Sequence, residues 1–289
     1  MTARRYLQLD VFADRPGAGN PLGAILDAAG MDAASMQALA AWLNLSETIF
    51  FLPPDQGAGA AGNAYRVRIF TPRMELPFAG HPSVGAAWAA VETGLARPRD
   101  GKLVQQCAAG LLPVAEDGSG AARTLAVRSP RAQLREIETP SLPDGLAKIA
   151  APGRTPALWN NGPDWWLLEA ADEATLRALR SDFAALAAQL PGGKLAVFAP
   201  TDGGDCQLAV RAFAPGVGIV EDPVTGSANA LIAAHLHRQG RLPGRDGRYV
   251  ASQGRELGRD GRVEVRVDAE GEVWIGGRVQ PVIAGTIAW

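Results

Sequence analysis

The segment Glu221-Asp222-Pro223-Val224-Thr225-Gly226-Ser227-Ala228 decides how the rest of the chain is interpreted. It follows a strand-like run at 208–213 and precedes the apolar run 231–234, so it predicts a loop that opens into a helix of small residues. The first N–H groups of a helix have no partner within the helix, and the aligned peptide dipoles place partial positive charge there. The segment therefore indicates a site for a carboxylate or phosphate, although Asp, Thr and Ser are also ordinary helix caps.

The chain contains this pattern twice. An Arg-x-Phe-x-Pro motif, a glycine followed by a polar residue, and a second glycine 14 residues later recur in the same order, 143 to 146 residues further along. The matched positions are Arg68 and Arg211, Phe70 and Phe213, Pro72 and Pro215, Gly80-His81 and Gly226-Ser227, and Gly94 and Gly240. Because several anchors keep their order and spacing, the sequence predicts two copies of one unit.

Composition limits the class of protein. The 289 residues can bury one large core or two of domain size, and 28 basic against 30 acidic residues give a net charge of −2. Without a long charge run, we expect no binding to nucleic acid or to an anionic membrane surface. Two cysteines are too few for a disulfide framework, and we see no signal peptide and no apolar run of about 20 residues. We therefore expect a cytoplasmic protein.

Hydrophobic periodicity predicts related elements in both halves. In the first half we expect a hairpin at 6–26, a helix capped by Asp32, strands at 49–52 and 65–70, and a helix at 83–92. In the second half we expect a strand at 124–127, a short helix at 144–149, a helix capped by Asp172, strands at 194–198 and 208–213, and a β-rich tail from 261. The helix after Asp172 is predicted to carry one apolar stripe of Leu176, Leu179, Phe183, Leu186 and Leu190.

These elements predict an α+β fold with two pseudo-symmetric halves. Each half would be a curled, mostly antiparallel sheet around a central helix, because the two Ala-rich helices are small and apolar nearly all round. A weak boundary at 116–120 divides the chain into a first half at 1–120, completed by the C-terminal strand 278–289, and a second half at 121–277.

The repeat also predicts where the chemistry lies. If the two helix N-termini face one cleft, they would hold an anionic substrate and stabilise negative charge that develops on it. Glu47 falls opposite Lys194 and His81 opposite Ser227, so the halves differ chemically and we expect one active site.

Glu47 is the candidate general base or acid. Burial among Phe50, Phe51 and Trp42 would raise its pKa. Taken alone, a glutamate is more often an exposed carboxylate, and His81 could be an ordinary loop histidine. His235 and His237 are two positions apart on a predicted helix, so their side chains diverge and we predict no metal site.

Five motifs in this order resemble the PhzF-like family of phenazine-biosynthesis proteins. They are Asn20-Pro21-Leu22, Ser46-Glu47-Thr48, Phe78-Ala79-Gly80-His81-Pro82-Ser83, Glu221-Asp222-Pro223-Val224-Thr225-Gly226-Ser227-Ala228 and Gln253-Gly254-x-Glu256-Leu257-Gly258-Arg259. The resemblance implies the diaminopimelate-epimerase fold and an isomerase that needs no cofactor or metal. It also implies a homodimer and a small anionic carboxylate substrate related to trans-2,3-dihydro-3-hydroxyanthranilate.

The resemblance assigns a role to each matched residue. The family's catalytic glutamate corresponds to Glu47, which would take a proton from a ring carbon and return it at another position. The other catalytic residues would be His81, Asp222 and Ser227, which would orient the substrate. The substrate-binding residues would be Asn20, Gly80, Thr225 and Gly226, with backbone N–H groups of the two glycines on the carboxylate.

Other functions stay open on this scaffold. A diaminopimelate epimerase uses one cysteine from each half, whereas the matching stretches here carry His81 and Ser227, so residue identity rules that mechanism out. A racemase or dehydratase of a hydroxylated amino acid is the alternative enzyme. A catalytically silent ligand-binding homologue is the alternative outside enzymes.

Overall fold

A computed structural model describes residues 2–55, 57, 62–138, 142, 144–180, 190–217 and 219–289. These residues form a sheet-dominated α+β fold with few helices. The strands are β1 (Ala3–Val11), β2 (Asn20–Ile25), β3 (Glu47–Leu52), β4 (Ala64–Phe70), β5 (Glu75–Leu76), β6 (Lys102–Cys107), β7 (Gly110–Asp117), β8 (Thr124–Arg128), β9 (Gln133–Arg135), β10 (Ala157–Asn160), β11 (Asp164–Glu169), β12 (Leu195–Pro200), β13 (Leu208–Ala214), β14 (Ile219–Asp222), β15 (Arg248–Gln253), β16 (Gly261–Val267), β17 (Val273–Gly277) and β18 (Val279–Ala288). The helices in the described ranges are α1 (Ala33–Leu43), α2 (Gly80–Glu92), α3 (Asp144–Ala147), α4 (Glu173–Ala178) and α5 (Gly226–Arg238).

The chain divides into two compact units. Unit 1 comprises Met1–Arg128 and Gly276–Trp289, and unit 2 comprises Ser129–Ile275. The domain limits expected from the sequence, 1–120 with 278–289 and 121–277, stay a prediction about folding domains.

Unit 1 is a mixed sheet. Strand β1 pairs antiparallel with β18 and with β2, and β2 pairs parallel with β3. Strand β3 pairs antiparallel with β4, and β4 continues antiparallel to β5 and parallel to β6. Two further antiparallel pairs follow, β6–β7 and β7–β8. The hairpin predicted at 6–26 is thereby confirmed.

Unit 2 uses a closely similar series of pairings. Strand β11 pairs parallel with β12, β12 antiparallel with β13, and β13 antiparallel with β14 and parallel with β15. The antiparallel pair β15–β16 follows, and the hairpin β10–β11 joins β9 to the sheet. The order of parallel and antiparallel pairings from β11 to β16 is the same as that from β2 to β7.

Helix α2 is the most deeply buried element of unit 1. It contacts strands β1, β2, β3, β4, β6, β8 and β18, and ten of its thirteen residues are buried. Its small side chains make this close packing possible. At Gly85, an added Cβ would lie 2.4 Å from Leu22 Cδ2 and 2.9 Å from Val11 Cγ2, and both neighbours are fully buried. A larger residue here would force these side chains apart.

The helix starts predicted at Asp32 and Asp172 agree with the structure, but the predicted end of the second helix does not. Asp32 and Asp172 accept hydrogen bonds from the N–H groups of Ser35 and Thr175, both at 2.7 Å, which confirms them as caps of α1 and α4. The stripe predicted to continue through Leu179 is wrong at that residue, whose ψ is 124°. Its carbonyl accepts a hydrogen bond of 2.7 Å from the buried guanidinium of Arg211, so the chain turns there. Phe183 and Leu186 lie outside the described residues.

Replacing Gly85 with alanine tests the packing of α2. We expect Gly85→Ala to lower the free energy of unfolding by about 1–3 kcal/mol, because the new methyl group overpacks a fully buried contact. Urea unfolding followed by circular dichroism measures this change.

Gly145→Ala is the control for the glycine effect itself. Gly145 lies in α3, and no heavy atom stands within 4 Å of a Cβ added there. This variant should be neutral or slightly stabilising. Equal losses from both variants would contradict the packing explanation.

Candidate active site

Three predicted site residues converge at one end of unit 1. Glu47 opens strand β3 just after α1 ends, and it lies opposite Leu22 in the parallel pair β2–β3. Asn20 precedes Leu22 by two positions on β2, so both side chains face the same side of the sheet. That side packs against α2, because Leu22 is a neighbour of Gly85. His81, the second residue of α2, therefore meets Glu47 on this face.

His81 and Glu47 form a buried pair. His81 Nε2 lies 3.3 Å from Glu47 Oε2, and the two side chains are 6% and 15% exposed. Burial lowers the pKa of His81 to about 3. The imidazole is therefore neutral at pH 7, and its Nε2 can give a hydrogen to the carboxylate without a second buried charge.

The expectation that Trp42 helps to bury Glu47 was wrong. Its side chain is 68% exposed, and its ring lies 6.1 Å from the ring of Trp289 between centroids. Trp42 stands near the end of α1 and faces outward, which a count of nearby aromatic residues along the sequence does not reveal. Phe51 is buried on the same face of β3 as Glu47, whereas Phe50 faces the other side and packs against α1, so it does not help to bury Glu47.

The N-cap residue of α2 does not block the N-terminus of the helix, which is therefore open to an anion on that side. Ala79 occupies the N-cap with extended backbone, and its methyl group cannot accept a hydrogen bond. Gly80 follows as the first helical residue. An N-cap residue usually has a side chain that accepts a hydrogen bond from the first turn. The methyl group of Ala79 cannot do so, and the helix N–H groups are left to other partners.

In unit 2, Asp222, Thr225 and Gly226 lie at the start of α5. Thr225 is the N-cap, but its hydroxyl donates to Asp222 Oδ2 at 2.6 Å instead of capping the helix. Gly226 and Ser227 are the first two helical residues. Asp222, the predicted carboxylate, therefore lies beside the start of α5, and the side chain of the N-cap residue Thr225 points to Asp222 and not to the helix.

Two residues of unit 2 donate hydrogen bonds to Ser227. Its Oγ accepts a hydrogen bond of 3.1 Å from Trp165 Nε1, and its carbonyl accepts one of 3.1 Å from Asn161 Nδ2. Trp165 and Asn161 are nearly fully buried. An indole N–H only donates, so the Ser227 hydroxyl keeps its own hydrogen for another acceptor.

A buried glutamine that sequence reasoning did not assign to the site joins these residues. Gln253 lies at the end of β15 with no exposed surface, and it hydrogen-bonds Asp222, Thr225 and Asn229. It had been noted only as part of a family motif. Its polarity at the buried end of a strand, after Ala251 and Ser252, was the available signal.

The repeated Arg-x-Phe-x-Pro motif builds the same clamp in each unit. Arg68 binds Glu75 through two hydrogen bonds of 2.7 and 2.6 Å, and Arg211 binds Glu221 through two of 2.9 Å. Each guanidinium also lies 5.1 Å from the ring of the following phenylalanine. Each glutamate precedes the first helical glycine by five residues, an E-x-P-x-x-G repeat that the sequence contained and the motif search missed.

The described residues give no sign of a metal centre. Among them, no group of three or more His, Cys, Asp and Glu side chains is placed to hold an ion. His235 instead accepts a hydrogen bond of 3.2 Å from Trp159 Nε1.

A family model described as phenazine biosynthesis-like protein, PhzC-PhzF, matches residues 9–285. The chain belongs to the PhzC-PhzF family. The resemblance inferred from the five motifs is thereby confirmed.

Several relatives of this PhzC-PhzF protein are named isomerases. It is 34% identical to the trans-2,3-dihydro-3-hydroxyanthranilate isomerase of Pseudomonas aeruginosa over 242 residues, which are 83% of this chain and 82% of that one. A solved structure from the same organism, described as a predicted epimerase, is 32% identical, has a TM-score of 0.75, and matches over 98% of this chain and 99% of its own. The chain is an isomerase of this family.

The fold is that of the PhzF family. A crystal structure of the Bacillus anthracis phenazine biosynthesis protein of this family has a TM-score of 0.86 at 22% identity, with 100% of both chains covered. No helix in the described parts of this PhzC-PhzF protein is long and apolar enough to cross a membrane.

The depressed pKa of His81 predicts how stability depends on pH. The folded-state pKa of about 3 lies below the ordinary 6.5, so the unfolded chain binds a proton between these values that the folded chain does not. Stability is therefore fully present above pH 6.5 and falls by up to about 1.4 kcal/mol per pH unit below it. Between pH 7 and pH 5 this group should cost about 2 kcal/mol.

Unfolding in urea at both pH values, for wild type and His81→Gln, isolates this contribution. The variant should lose about 2 kcal/mol less than wild type between pH 7 and pH 5. His237→Gln is the control, because His237 is an exposed histidine of α5 and should leave the slope in place. Identical slopes for wild type and His81→Gln would show that His81 does not stay neutral in the folded protein.

Proposed function

We propose that this isomerase moves a proton on a small anionic substrate like trans-2,3-dihydro-3-hydroxyanthranilate, with Glu47 as general acid and base. The contact between Glu47 and the neutral, buried His81 is the observation that carries the proposal. A carboxylate that is mostly shielded from water and lies against a neutral imidazole is suited to take up and return a proton. The relative that acts on this substrate by name is 34% identical.

Glu47 performs both proton transfers in the proposed reaction. Its carboxylate removes a proton from a ring carbon, and the electron pair of that C–H bond shifts along the conjugated system. The Glu47 carboxyl group then returns the proton at another carbon, so no atom is gained or lost. His81 Nε2 lies 3.3 Å from Oε2, and we propose that His81 stays neutral throughout. No cofactor or metal is needed for these steps, because a carboxylate supplies the whole proton transfer.

Asp222 and Ser227 are proposed to orient the substrate amine, hydroxyl or carboxylate. The N–H groups at Gly80 and Gly226 would bind the carboxylate, since a helix N-terminus favours negative charge. Asn20 would complete the pocket from β2. We propose that both groups of residues serve one substrate, in a cleft between two pseudo-symmetric halves that are built as diaminopimelate-epimerase-like units around a central helix. The shared series of strand pairings in the two units supports this duplication.

A racemase or epimerase is the second candidate. The 32% identity to a structure described as a predicted epimerase favours it, because removal and return of a proton at one carbon uses the same acid and base chemistry. A dehydratase of a hydroxylated amino acid and a silent ligand-binding homologue remain further alternatives. The homodimer implied by the family resemblance and the cytoplasmic location expected from the composition stay predictions.

Glu47→Gln tests the assigned base. We expect turnover of trans-2,3-dihydro-3-hydroxyanthranilate to fall by at least about 100-fold, because the amide cannot accept the proton. Binding of 3-hydroxyanthranilate, measured by calorimetry, should persist because the shape of the side chain is kept.

The matched control is Glu116→Gln, which removes a charge of similar exposure elsewhere in unit 1. The Glu116 side chain is 16% exposed and pairs with Arg123 at 3.0 Å. It should retain wild-type turnover. Wild-type turnover by Glu47→Gln would remove Glu47 from the mechanism.

Solvent deuterium separates isomerase from racemase. Turnover in D₂O, followed by ¹H NMR of the product, should place deuterium at a ring or allylic carbon. Exchange confined to an α-carbon of an amino acid would favour the racemase instead.

A further inference from the structure

We infer that Gln253 and Thr225 are positioning residues that hold Asp222 as an ionised hydrogen-bond acceptor facing the substrate. The inference rests on the proposed role of Asp222 and deepens it. It also changes the role expected for Thr225, from a direct substrate contact to a residue that acts through Asp222.

The amide of Gln253 is completely used. Its Nε2 donates to the carbonyl of Asp222 and to Thr225 Oγ1, both at 2.9 Å. Its Oε1 accepts from the N–H of Thr225 at 3.0 Å and from Asn229 Nδ2 at 2.9 Å. A primary amide offers two N–H donors and one oxygen with two lone pairs, so these four bonds exhaust it.

The orientation of this amide follows from its partners. A backbone carbonyl can only accept, and a backbone N–H can only donate. Asp222 O must therefore face Nε2 of Gln253, and Thr225 N must face Oε1. Exchanging the two amide atoms would set a donor against a donor and an acceptor against an acceptor inside a fully buried site, at a cost of a few kcal/mol.

The direction of the Thr225 hydroxyl is fixed in turn. Because Gln253 Nε2 donates to Oγ1, the hydroxyl acts as acceptor there, and its single hydrogen is left for Asp222 Oδ2 at 2.6 Å. This length is typical of an O–H group that donates to a charged carboxylate. Oδ2 must accept, so the arrangement favours the ionised form of Asp222.

The network also fixes the main chain around the helix start. Gln253 ties the carbonyl of Asp222 to the N–H of Thr225, and Asn229 Nδ2 donates to the carbonyl of Thr225 at 2.9 Å. With the Thr225 side chain directed at Asp222, Gly226 and Ser227 present the first helical N–H groups. One glutamine thus sets both the carboxylate and the backbone beside it.

Gln105 of unit 1 provides a matched comparison. It is equally buried, but its Nε2 donates to Ser83 Oγ at 2.9 Å and its Oε1 accepts from Tyr65 at 3.3 Å. None of these partners is a carboxylate. Loss of this amide should cost stability in the same way as loss of Gln253, without the effect on Asp222.

The test follows the ionisation of Asp222 directly. ¹³C NMR of protein labelled at the aspartate carboxyl carbons, with the Asp222 signal identified by its loss in Asp222→Asn, gives the midpoint of its titration. Thr225→Val keeps the shape and removes the hydroxyl, so the midpoint should rise by about one to two pH units, the equivalent of one charge-assisted hydrogen bond. Thr225→Ser should restore the wild-type midpoint, because it restores the donor.

Gln253→Met should raise the midpoint as well, since the Thr225 hydroxyl is then free to rotate away from Asp222. Gln105→Met should lower the melting temperature while leaving the Asp222 titration at its wild-type position. If Gln253→Met does not fold, Thr225→Val and Thr225→Ser still decide the matter. A midpoint that is unchanged in Thr225→Val overturns the inference.

This readout does not depend on turnover, so the two proposals fail separately. A raised midpoint in Thr225→Val, in a protein that does not turn over trans-2,3-dihydro-3-hydroxyanthranilate, supports the positioning role and counts against the proposed substrate. With turnover present, the pH at which kcat/KM falls on the acid side should move with the NMR midpoint in Thr225→Val and return in Thr225→Ser. Loss of activity in both variants with an unchanged midpoint would again overturn the inference.

Discussion

In each unit, an arginine forms two hydrogen bonds with the glutamate that lies five residues before the helix α2 or α5, and the rest of the site depends on this contact. Arg211 and Glu221 are 4% and 7% exposed, so removing one partner would leave a buried charge, at a cost of several kcal/mol. The clamp fixes the short strand β14, and Asp222 is the next residue along it. In unit 1 the same contact from Arg68 fixes β5 ahead of Gly80. These ion pairs therefore help to place the starts of α2 and α5.

The two units attach different chemistry to this shared frame. Unit 1 places a carboxylate against an imidazole that burial keeps neutral, an arrangement suited to proton transfer. In unit 2 the Thr225 hydroxyl donates to the Asp222 carboxylate, and Gln253 donates to the Asp222 backbone carbonyl. Thus Glu47 lies against the imidazole of His81, whereas the Asp222 carboxylate accepts a hydrogen bond from Thr225. This contrast is the physical basis for assigning the acid and base role to Glu47.

Local patterns identified most of the strands and helices. The caps Asp32 and Asp172, the hairpin of β1 and β2, and the helices that open at glycine follow from spacing and residue type. The patterns failed where a distant residue intervened. Helix α4 ends before Leu179, whose carbonyl accepts a hydrogen bond from Arg211, and Trp42 faces outward beside the C-terminal Trp289. Gln253 escaped notice because its partners at Asp222 and Thr225 lie about 30 residues away in the chain.

The sequence by itself determined the family, the isomerase class, the repeated motif and the residue types available for chemistry, because these depend on identity and spacing along the chain. The tertiary structure alone decided which of those residues meet and in what state. It brought His81 within 3.3 Å of Glu47 and buried it deeply enough to stay neutral. It also turned the Thr225 hydroxyl from the helix cap to Asp222. Burial and hydrogen-bond direction arise only when strands distant in sequence pack together, so no local pattern could contain them.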